Sequence, residues 1–438
     1  MPVRAISEEP PNIGHARIRA VRQAISGAWE TTVCRPGPEP VPPPAAGPHA
    51  RPCHGVIPLP HPFTVPTAGP EFHLFFYWDT YFTSEGLLRD GRADLAQANA
   101  DNLLYLIRLL GYMPNYTLWQ DLDRSQPPMA SLLVRAVYEH TRDRAWLAGA
   151  RAALETEYAF WMAMRRGPHG LNHYGTHGTP EAVRRFANFL PGRLGTLPED
   201  LGERLAFARH ALAEAESGWD FTPRFDRRCA EHYAVDLNSL LYQHELNQVW
   251  FCEQLGEGGA DRWRQRAEDR RQRVNALCWD EAAGFFFDHD FAHGRAAAIP
   301  AVSAYFTLWS GLASPGQAAR LVAWLPELER PYGLVACAPG PRPDRRTYQW
   351  DTPNAWPPLQ FAAIAGLLRY GYQAEARRLA GKYVAAVVAN FETTGHLWEK
   401  YNAITGGVDV SDEYLMPPML GWTAGTFLYA CEVLASAR

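Results

Sequence analysis

Asp220 is the residue of this chain whose setting first suggests chemistry. It belongs to the stretch Glu216-Ser217-Gly218-Trp219-Asp220-Phe221-Thr222-Pro223-Arg224-Phe225, which follows a run rich in Ala, Leu, Glu and Arg. That run favours a helix over residues 201–215, and Ser217-Gly218 and Pro223 favour its end. An indole beside a carboxyl group disfavours the charged form, so such a carboxyl can act as a general acid near neutral pH. A single Asp after a helix is more often only a turn residue, so the other motifs of the chain must decide.

The pairing of tryptophan with a carboxylate recurs where loops meet predicted helices. The five places are Trp78-Asp79, which we expect in the loop just before a helix, Trp219-Asp220, Trp350-Asp351, Trp398-Glu399, and Trp422 shortly after Glu413-Tyr414. Each pair alone could be a helix cap. Together they predict a bowl lined with indoles and acids, which suits a sugar because ring faces pack on aromatics and hydroxyls bond to polar groups. Two carboxyl groups facing each other across such a bowl are the minimum needed to hydrolyse a glycosidic bond.

Motifs for several other chemistries are missing from the sequence. There is no GxSxG, P-loop, GxGxxG or HExxH pattern. Asp288-His289-Asp290 lacks the spacing of a calcium loop, and we interpret it as a solvated turn. His173 and His177 lie in a glycine-containing loop without further ligands at metal-binding spacing. We therefore expect an enzyme that uses neither a metal nor a cofactor.

Composition narrows the class of protein further. The chain has 438 residues, of which 47% are hydrophobic and 20% charged, with a net charge of −5. This balance is ordinary for a globular protein and does not favour binding to nucleic acid or anionic membrane. The seven cysteines are scattered without a CxxC pair, which is typical of a reducing compartment. No apolar run is long enough for a signal peptide or a membrane span, so the expected location is cytoplasmic. The oligomeric state stays open.

The predicted elements are almost entirely helical. Residues 13–30 carry Ile18, Val21, Ile25 and Trp29 at helical spacing, and a proline-rich stretch follows up to residue 70. From Phe72 onward roughly a dozen helical stripes alternate with loops, and no strand block is large enough for a sheet domain. We predict an all-α fold in which helix hairpins close into a ring. We expect residues 1–70 to form an N-terminal helix and arm, and residues 71–438 to form the catalytic domain.

Several motifs in a fixed order resemble those of the trehalase family, glycoside hydrolase family 37. They are FFYWDTYFTSEGL (75–87), RSQPP (124–128) after Pro114-Asn115, ESGWDFTPRF (216–225), QWDTPNAWPPLQ (349–360) and WEKYNA (398–403). The resemblance covers about residues 72–422. It implies an (α/α)6 barrel, a small-sugar substrate and inverting hydrolysis.

The resemblance also assigns roles to single residues. Asp220 resembles the general acid that protonates the glycosidic oxygen, and Glu399 resembles the general base that activates water. For inversion the two carboxyl groups should lie about 6.5–9.5 Å apart. The positions that resemble the family's sugar contacts are Phe72, Trp78, Asp79, Asn115, Arg124, Gln126, Glu181, Gly218, Trp350 and Glu413.

The sequence departs from the family pattern at two arginine positions. They are occupied here by Glu71 and Thr179, and Arg184 and Arg185 lie just beyond the second. Arginine donates a fork of hydrogen bonds that Glu and Thr cannot supply. We therefore expect hydrolysis of trehalose to be weak or absent unless Arg184 or Arg185 reaches the site.

The first interpretation is an inverting hydrolase of trehalose or a related small α-glucoside. The alternatives are an α-glycosidase acting on another glucoside, such as a glucosylglycerate-like compound, and a non-catalytic sugar-binding barrel. The intact motifs around Asp220 and Glu399 argue against the last of these.

Overall fold

The computed structural model describes residues 13–36, 55–195, 197–342 and 348–436, and most of its regular structure is helical. The α-helices of these ranges are α1 (His15–Ala28), α2 (Tyr77–Arg89), α3 (Ala93–Leu110), α4 (Ala130–Thr141), α5 (Arg144–Met164), α6 (Pro180–Phe189), α7 (Pro191–Leu194), α8 (Leu201–Ser217), α9 (Val235–Leu255), α10 (Ala260–Cys278), α11 (Phe306–Ser310), α12 (Pro315–Ala323), α13 (Leu325–Leu328), α14 (Pro357–Arg369), α15 (Gln373–Thr394) and α16 (Gly421–Ala435). Short 3₁₀ turns lie at Trp29–Thr32, Trp119–Asp121, Pro223–Phe225, Cys229–Glu231 and Val302–Tyr305.

The helices form two concentric layers. In the inner layer α2, α4, α9, α11, α14 and α16 each pack against the next, and α16 packs against α2 to close the ring. Helices α1, α3, α5, α10, α12 and α15 lie outside them. Burial follows the layers: 12 of the 13 residues of α2 are buried, whereas only five of the 19 residues of α10 are. The fold is therefore the predicted (α/α)6 barrel.

The seam between α2 and α16 closes the ring through two glycines. A Cβ atom on Gly86 would lie 2.8 Å from the Cα atom of Gly425, which is closer than real Cβ atoms approach. Gly425 in turn lies against the backbone carbonyl of Phe82. The two helices can approach this closely only because neither position carries a side chain.

The strands are short and connect loops rather than forming a domain. They are β1 (Val33–Cys34), β2 (Phe63–Thr64), β3 (His232–Tyr233), β4 (Trp279–Asp280), β5 (Phe285–Phe286), β6 (His289–Asp290), β7 (Arg295–Ala296), β8 (Glu329–Arg330), β9 (Gly333–Leu334), β10 (Asn354–Ala355) and β11 (Tyr401–Asn402). All pairings are antiparallel, in the orders β1-β2, β3-β6-β7, β4-β5, β8-β9 and β10-β11. The β10-β11 pair joins the loop before α14 to the loop that carries Glu399.

The N-terminal helix α1 packs on the outside of the ring against α15 and α16. Its inward residues Val21 and Ile25 are buried, as is Trp29 just after it. Strand β1 then pairs with β2, and residues 37–54, which hold much of the proline-rich stretch, lie outside the described residues. The division of the chain at residue 70 remains a prediction.

Two local interpretations of the sequence are wrong. Helix α2 begins at Tyr77, so Trp78-Asp79 belongs to the first turn of a helix and not to the loop before it. Asp288 and Asp290 are only 3% and 2% exposed, so they do not form a solvated turn. The reason is charge pairing: Asp288 accepts hydrogen bonds from Arg224, and Asp290 accepts them from Arg228.

Helices α6, α7 and α8 form an insertion between the outer helix α5 and the inner helix α9. They have their own small apolar core, in which Val183, Leu190 and Leu212 are buried together with Phe221. The face of α6 with Phe186 and Phe189 lines the cavity described below. We call residues 180–217 the covering segment.

Candidate active site

One cavity of about 510 Å³ opens at the end of the barrel where loops lead into the inner helices. The residues predicted from the sequence that line it are Phe72, Trp78, Asp79, Asn115, Arg124, Gln126, Gly218, Asp220, Trp350 and Glu399. They come from the start of α2 and from the loops before α4, α9, α14 and α16. The barrel thus collects at one end residues that are more than 300 positions apart in the chain.

Asp220 lies in the loop between α8 and α9, and Arg193 of α7 holds it. Nη1 of Arg193 lies 3.2 Å from Oδ2 of Asp220, and Nη2 donates to the backbone carbonyl of Asp220 at 3.0 Å. The side-chain amide of Gln349 donates to the same carbonyl. The Asp220 side chain keeps 31% of its surface exposed to the cavity side of the loop. A carboxyl fixed at its backbone and still accessible can exchange a proton with a bound molecule.

Glu399 is almost fully buried and fixed on both oxygens. The hydroxyl of Tyr414 donates to Oε1 at 2.6 Å, and the ammonium group of Lys400 donates to Oε2 at 2.7 Å. The indole of Trp422 donates to the backbone carbonyl of Glu399 at 2.9 Å. Lys400 also contacts Asp412 at 2.6 Å, so one buried cation serves two carboxylates.

A cluster of indoles lines the same cavity as the two carboxyl groups. Trp350 stacks on Trp356 with ring centroids 3.8 Å apart and planes 3° apart. Trp78 lies 5.7 Å from Trp350 and 6.1 Å from Trp422. Trp219 does not line the cavity but stacks behind Trp350 at 5.5 Å. The stacked rings give the cavity a rigid apolar wall of the kind that packs against sugar rings.

Gly218 ends α8 and places Asp220 against this wall. Its φ of 76° lies in the left-handed region. A Cβ atom at this position would be 2.8 Å from Cε2 and Cζ2 of the Trp78 indole. Both the backbone conformation and the contact with Trp78 therefore require glycine.

The polar rim comes from the loop between α3 and α4. Nδ2 of Asn115 donates to the carbonyl of Ala215, and Oε1 of Gln126 accepts from the backbone of Trp78 at 3.1 Å. Arg124 pairs with Asp123 and lies over the rings of Tyr116 and Phe186, each 5.6 Å away. Nε of Arg124 is buried without a partner among the described residues, so this cation retains a donor for a bound hydroxyl.

A buried ion pair anchors this loop to the end of α8. The carboxylate of Glu216 accepts a hydrogen bond from Nε of Arg165 at 2.7 Å and another from the backbone amide of Ser125 at 2.8 Å. A second amide, that of Gly175, donates to it at 2.7 Å. Glu216 and Arg165 are 0% and 2% exposed. This fully bonded centre sets the distance between the Arg124 loop and Gly218-Trp219-Asp220.

Burial raises the pKa of two further carboxyl groups near the site. Burial raises the pKa of Asp79 to about 8, and the neighbouring carboxylates of Glu399 and Asp220 add to the effect. Burial likewise raises the pKa of Glu413 to about 7, although the charge of Arg193 opposes it. At neutral pH Asp79 therefore carries a proton in the sugar-free protein and can donate a hydrogen bond into the cavity.

Two predicted sugar contacts do not line the cavity. Glu181 is exposed in the first turn of α6. Glu413 lies behind the residues that line the cavity, and its Oε2 accepts a hydrogen bond from Nε of Arg193 at 3.0 Å. Its role is thus to hold a cation that does line the cavity.

The positions Glu71 and Thr179 also lie away from the cavity. Glu71 is exposed, and Thr179 caps α6 by accepting from the backbone of Ala182. Of the two arginines beyond Thr179, Arg185 lines the cavity and pairs with Asp121 at 2.9 Å, whereas Arg184 is exposed elsewhere. The expectation of weak or absent trehalose hydrolysis held only if neither Arg184 nor Arg185 reached the site. Arg185 is the one of the two that reaches the cavity.

Sequence reasoning missed Arg193, and it gave no role to Lys400 or Tyr414. Lys400 stood inside a recognised motif, directly after Glu399, and could have been proposed as its partner. Arg193 lies in no motif, and nothing in the local pattern distinguishes it from other surface arginines. Its contacts lie 27 and 220 positions away in the chain.

The structure thus brings two carboxyl groups, those of Asp220 and Glu399, to one aromatic cavity, which is the minimum that hydrolysis of a glycosidic bond needs. Comparison with known proteins gives this arrangement a family. The profile of the family described as Trehalase matches residues 15–435. The chain belongs to the trehalase family. It is therefore a glycoside hydrolase, as its motifs predicted.

Individual members of the trehalase family agree in both sequence and structure. A periplasmic trehalase of Xanthomonas oryzae pv. oryzae is 33% identical over 87% of this chain and 69% of its own length. A cytosolic neutral trehalase of Emericella nidulans is 31% identical over 85% of this chain and 58% of its own. The structure of the neutral trehalase from Saccharomyces cerevisiae superposes with a TM-score of 0.73 at 27% identity, covering 86% of this chain and 74% of that one.

The barrel is shared beyond the trehalase family. A mannosylglycerate hydrolase from Thermus thermophilus, solved in complex with glucose, superposes with a TM-score of 0.60 at 20% identity, covering 84% of this chain and 95% of that one. At this identity the likeness concerns the fold alone. Within the described ranges every helix is too short or too polar to cross a membrane, and no group of His, Cys, Asp and Glu residues there is suited to a metal ion.

Proposed function

We propose that this protein hydrolyses trehalose with inversion, using Asp220 as the general acid and Glu399 as the general base. The observation that carries the proposal is that both carboxyl groups line one aromatic cavity of about 510 Å³. This volume lies within the range of about 300–1,000 Å³ typical of small-ligand sites. The reported relatives of 27–33% identity, two in sequence and one in structure, are named trehalases, which favours trehalose over another glucoside.

The reaction needs one proton delivered and one removed. Asp220 gives its proton to the glycosidic oxygen as the bond from that oxygen to the anomeric carbon breaks. A water molecule attacks the same carbon from the opposite face and gives its proton to Glu399. The Lys400 and Tyr414 contacts fix the Glu399 carboxylate for this step. Proton exchange with solvent then returns both groups to their starting forms.

The remaining cavity residues bind and orient the sugar. Trp78 and Trp350 present apolar ring faces, while Arg124 and Arg185 bring donors to the rim. The neutral Asp79 donates a hydrogen bond where an ionised carboxylate could only accept. These groups replace the hydroxyl contacts that the sugar loses when it leaves water.

Product analysis tests the proposal. Inverting hydrolysis of α,α-trehalose releases one α-glucose and one β-glucose, whereas retention releases two molecules of α-glucose. Proton NMR of the first minutes of reaction, before mutarotation, should therefore show equal amounts of the two anomers. Retention would remove Glu399 from the role of base. Glucose release from a glycerate-linked α-glucoside that is faster than release from trehalose would replace the proposed substrate.

We also propose that the protein works in the cytoplasm. Six cysteines of the described residues are free thiols, five of them buried, which suits a reducing compartment. The named relatives are divided, since some are periplasmic and others cytosolic. Cell fractionation with enzyme assays of each compartment decides the matter: activity recovered mainly in the periplasmic fraction would contradict this location.

A further inference from the structure

Arg193 stands between two acidic groups of the active site. On one side its Nη1 lies 3.2 Å from Oδ2 of Asp220, and its Nη2 donates to the Asp220 carbonyl at 3.0 Å. On the other side its Nε and Nη2 lie 3.0 and 2.9 Å from Oε2 of Glu413. Its side chain is 14% exposed, and this remaining surface lines the cavity.

The hydrogen bonds of Arg193 leave an N–H group of Nη1 for a ligand. A guanidinium carries five N–H groups and accepts no hydrogen bonds. The three hydrogen bonds to Asp220 and Glu413 use the N–H of Nε, one N–H of Nη2 and one N–H of Nη1. Nη2 also forms an ion-pair contact with Oε2 of Glu413 at 2.9 Å. Among the contacts of the described residues, the second N–H of Nη1 has no acceptor. It belongs to the same nitrogen that binds the carboxyl group of Asp220.

Aromatic rings hold the guanidinium in this orientation. Its central carbon lies 5.1 Å from the ring of Phe221 and 5.2 Å from the ring of Tyr414. Phe221 follows Asp220 in the chain, and Tyr414 donates to Glu399. Arg193 is therefore in contact with the loops of both catalytic carboxyl groups, although it belongs to the covering segment.

We propose that Arg193 positions the general acid Asp220 and binds the leaving sugar, an inference that rests on the proposed function. The acid must lie beside the glycosidic oxygen, so a group bonded to that acid lies beside the sugar that departs. The free N–H of Nη1 donates to a hydroxyl of this sugar, while the other donors keep Asp220 and Glu413 in place. Because arginine stays charged at all accessible pH values, it takes no part in proton transfer itself.

A purely structural role must be told apart from this one. Arg193 also ties the covering segment to the barrel, so its loss could open the cavity without any specific effect on the acid. The two roles differ in what they do to a substrate that needs no acid. In α-glucosyl fluoride the leaving group is fluoride, which departs without protonation and carries no second sugar.

The experiment compares kcat and KM of Arg193→Gln on trehalose and on α-glucosyl fluoride. We expect kcat/KM to fall about 100-fold on trehalose, the scale of a disabled general acid, and about fivefold or less on the fluoride. Arg184→Gln is the matched control, since Arg184 is an exposed arginine of the same segment outside the cavity. The kcat/KM of Arg184→Gln should equal that of the wild type on both substrates. Arg193→Lys keeps the positive charge but lacks the planar set of donors of a guanidinium. It should therefore be more active on trehalose than Arg193→Gln and less active than the wild type.

Three results would overturn the inference. They are an equal loss on both substrates, no loss on trehalose, and full activity of Arg193→Lys on trehalose. Circular dichroism melting checks that each variant is folded. If Arg193→Gln does not fold, Arg193→Lys takes its place in the comparison of the two substrates.

If the proposed function is wrong, the wild type will cleave the fluoride but not trehalose. This result differs from the three results that would overturn the role of Arg193. In that case the leaving-sugar contact is tested by calorimetric titration of trehalose into Glu399→Gln with and without Arg193→Gln. Equal affinities, or no binding to either protein, would refute it.

Discussion

The ammonium group of Lys400 lies 2.7 Å from Oε2 of Glu399, and neither side chain is more than 2% exposed. Lys400 further packs against the ring of Trp356 at 4.6 Å. Lys400→Met should therefore leave a buried carboxylate without its counter-charge. We expect a loss of about 3–5 kcal/mol in the free energy of unfolding and a fall in kcat of about 100-fold or more for the protein that remains folded.

Lys382→Met is the control for the Lys400 variant. Lys382 is also buried and lies 2.6 Å from a buried glutamate, Glu329, but neither residue lines the cavity. It should lower stability in urea unfolding while kcat stays within about twofold. Equal effects of the two variants on kcat would show that Lys400 matters only for folding.

Asp220→Asn and Glu399→Gln should each lower kcat on trehalose by at least about two to three orders of magnitude, the scale of losing an acid or base. The acid can be told from the base with α-glucosyl fluoride, on which Asp220→Asn should retain activity and Glu399→Gln should not. Exposed Asp226→Asn and Glu253→Gln are the matched controls. If either catalytic variant keeps more than about a tenth of wild-type activity on trehalose, its assigned role is wrong.

Gly218→Ala should destabilise the protein and reduce activity together. A left-handed φ costs an alanine about 1–2 kcal/mol, and the contact with Trp78 adds about 1–3 kcal/mol of overpacking. Gly256→Ala isolates the first cost, because Gly256 has a φ of 69° but open space around its Cβ position. Urea unfolding of the two variants should differ by the overpacking contribution, and only Gly218→Ala should change kcat/KM. Identical losses would mean that Trp78 moves aside freely.

The raised pKa of Asp79 makes stability depend on pH in a defined direction. With a pKa of about 8 in the folded protein against about 3.9 unfolded, the folded state binds the proton more tightly. The resulting stabilisation is complete below about pH 4 and is lost as the pH rises through 8, by up to about 1.4 kcal/mol per pH unit.

Asp79→Asn should remove this dependence. Its free energy of unfolding in urea should rise relative to that of the wild type between pH 5 and pH 8, whereas Asp226→Asn should follow the wild type throughout. Parallel curves for Asp79→Asn and the wild type would contradict the raised pKa.

The sequence predicted well which residues line the cavity where those residues belong to contiguous motifs. Trp78, Asp220, Trp350 and Glu399 all line the cavity, because the motifs occupy the loops that lead into the inner helices. The predicted bowl contained more residues than the structure places around the cavity. In most of the tryptophan–carboxylate pairs only one partner faces the cavity, since neighbouring residues of a turn point in different directions. Asp351, for example, pairs with Arg342 instead.

The parts that could not be predicted depend on contacts between distant residues. Asp288 looked like a solvent-facing acid because its partner Arg224 lies 64 positions away. Arg193 gave no signal for the same reason, since only the folded covering segment brings it to Asp220 and Glu413. Local patterns reveal helices and loops, but the pairing of buried charges is decided by the tertiary packing.

The seam between α2 and α16 has a consequence for the timing of synthesis. Helix α16 follows the other helices of the described ranges in chain order, so it leaves the ribosome after them, and until it arrives α2 has no partner on that side. It also carries Trp422, which lines the cavity and binds the Glu399 backbone. A nascent chain that already contains Asp220, Arg193 and Glu399 therefore still lacks a closed catalytic chamber. We therefore expect no hydrolysis before α16 has been made, and a copy that stalls shortly before it should be inactive.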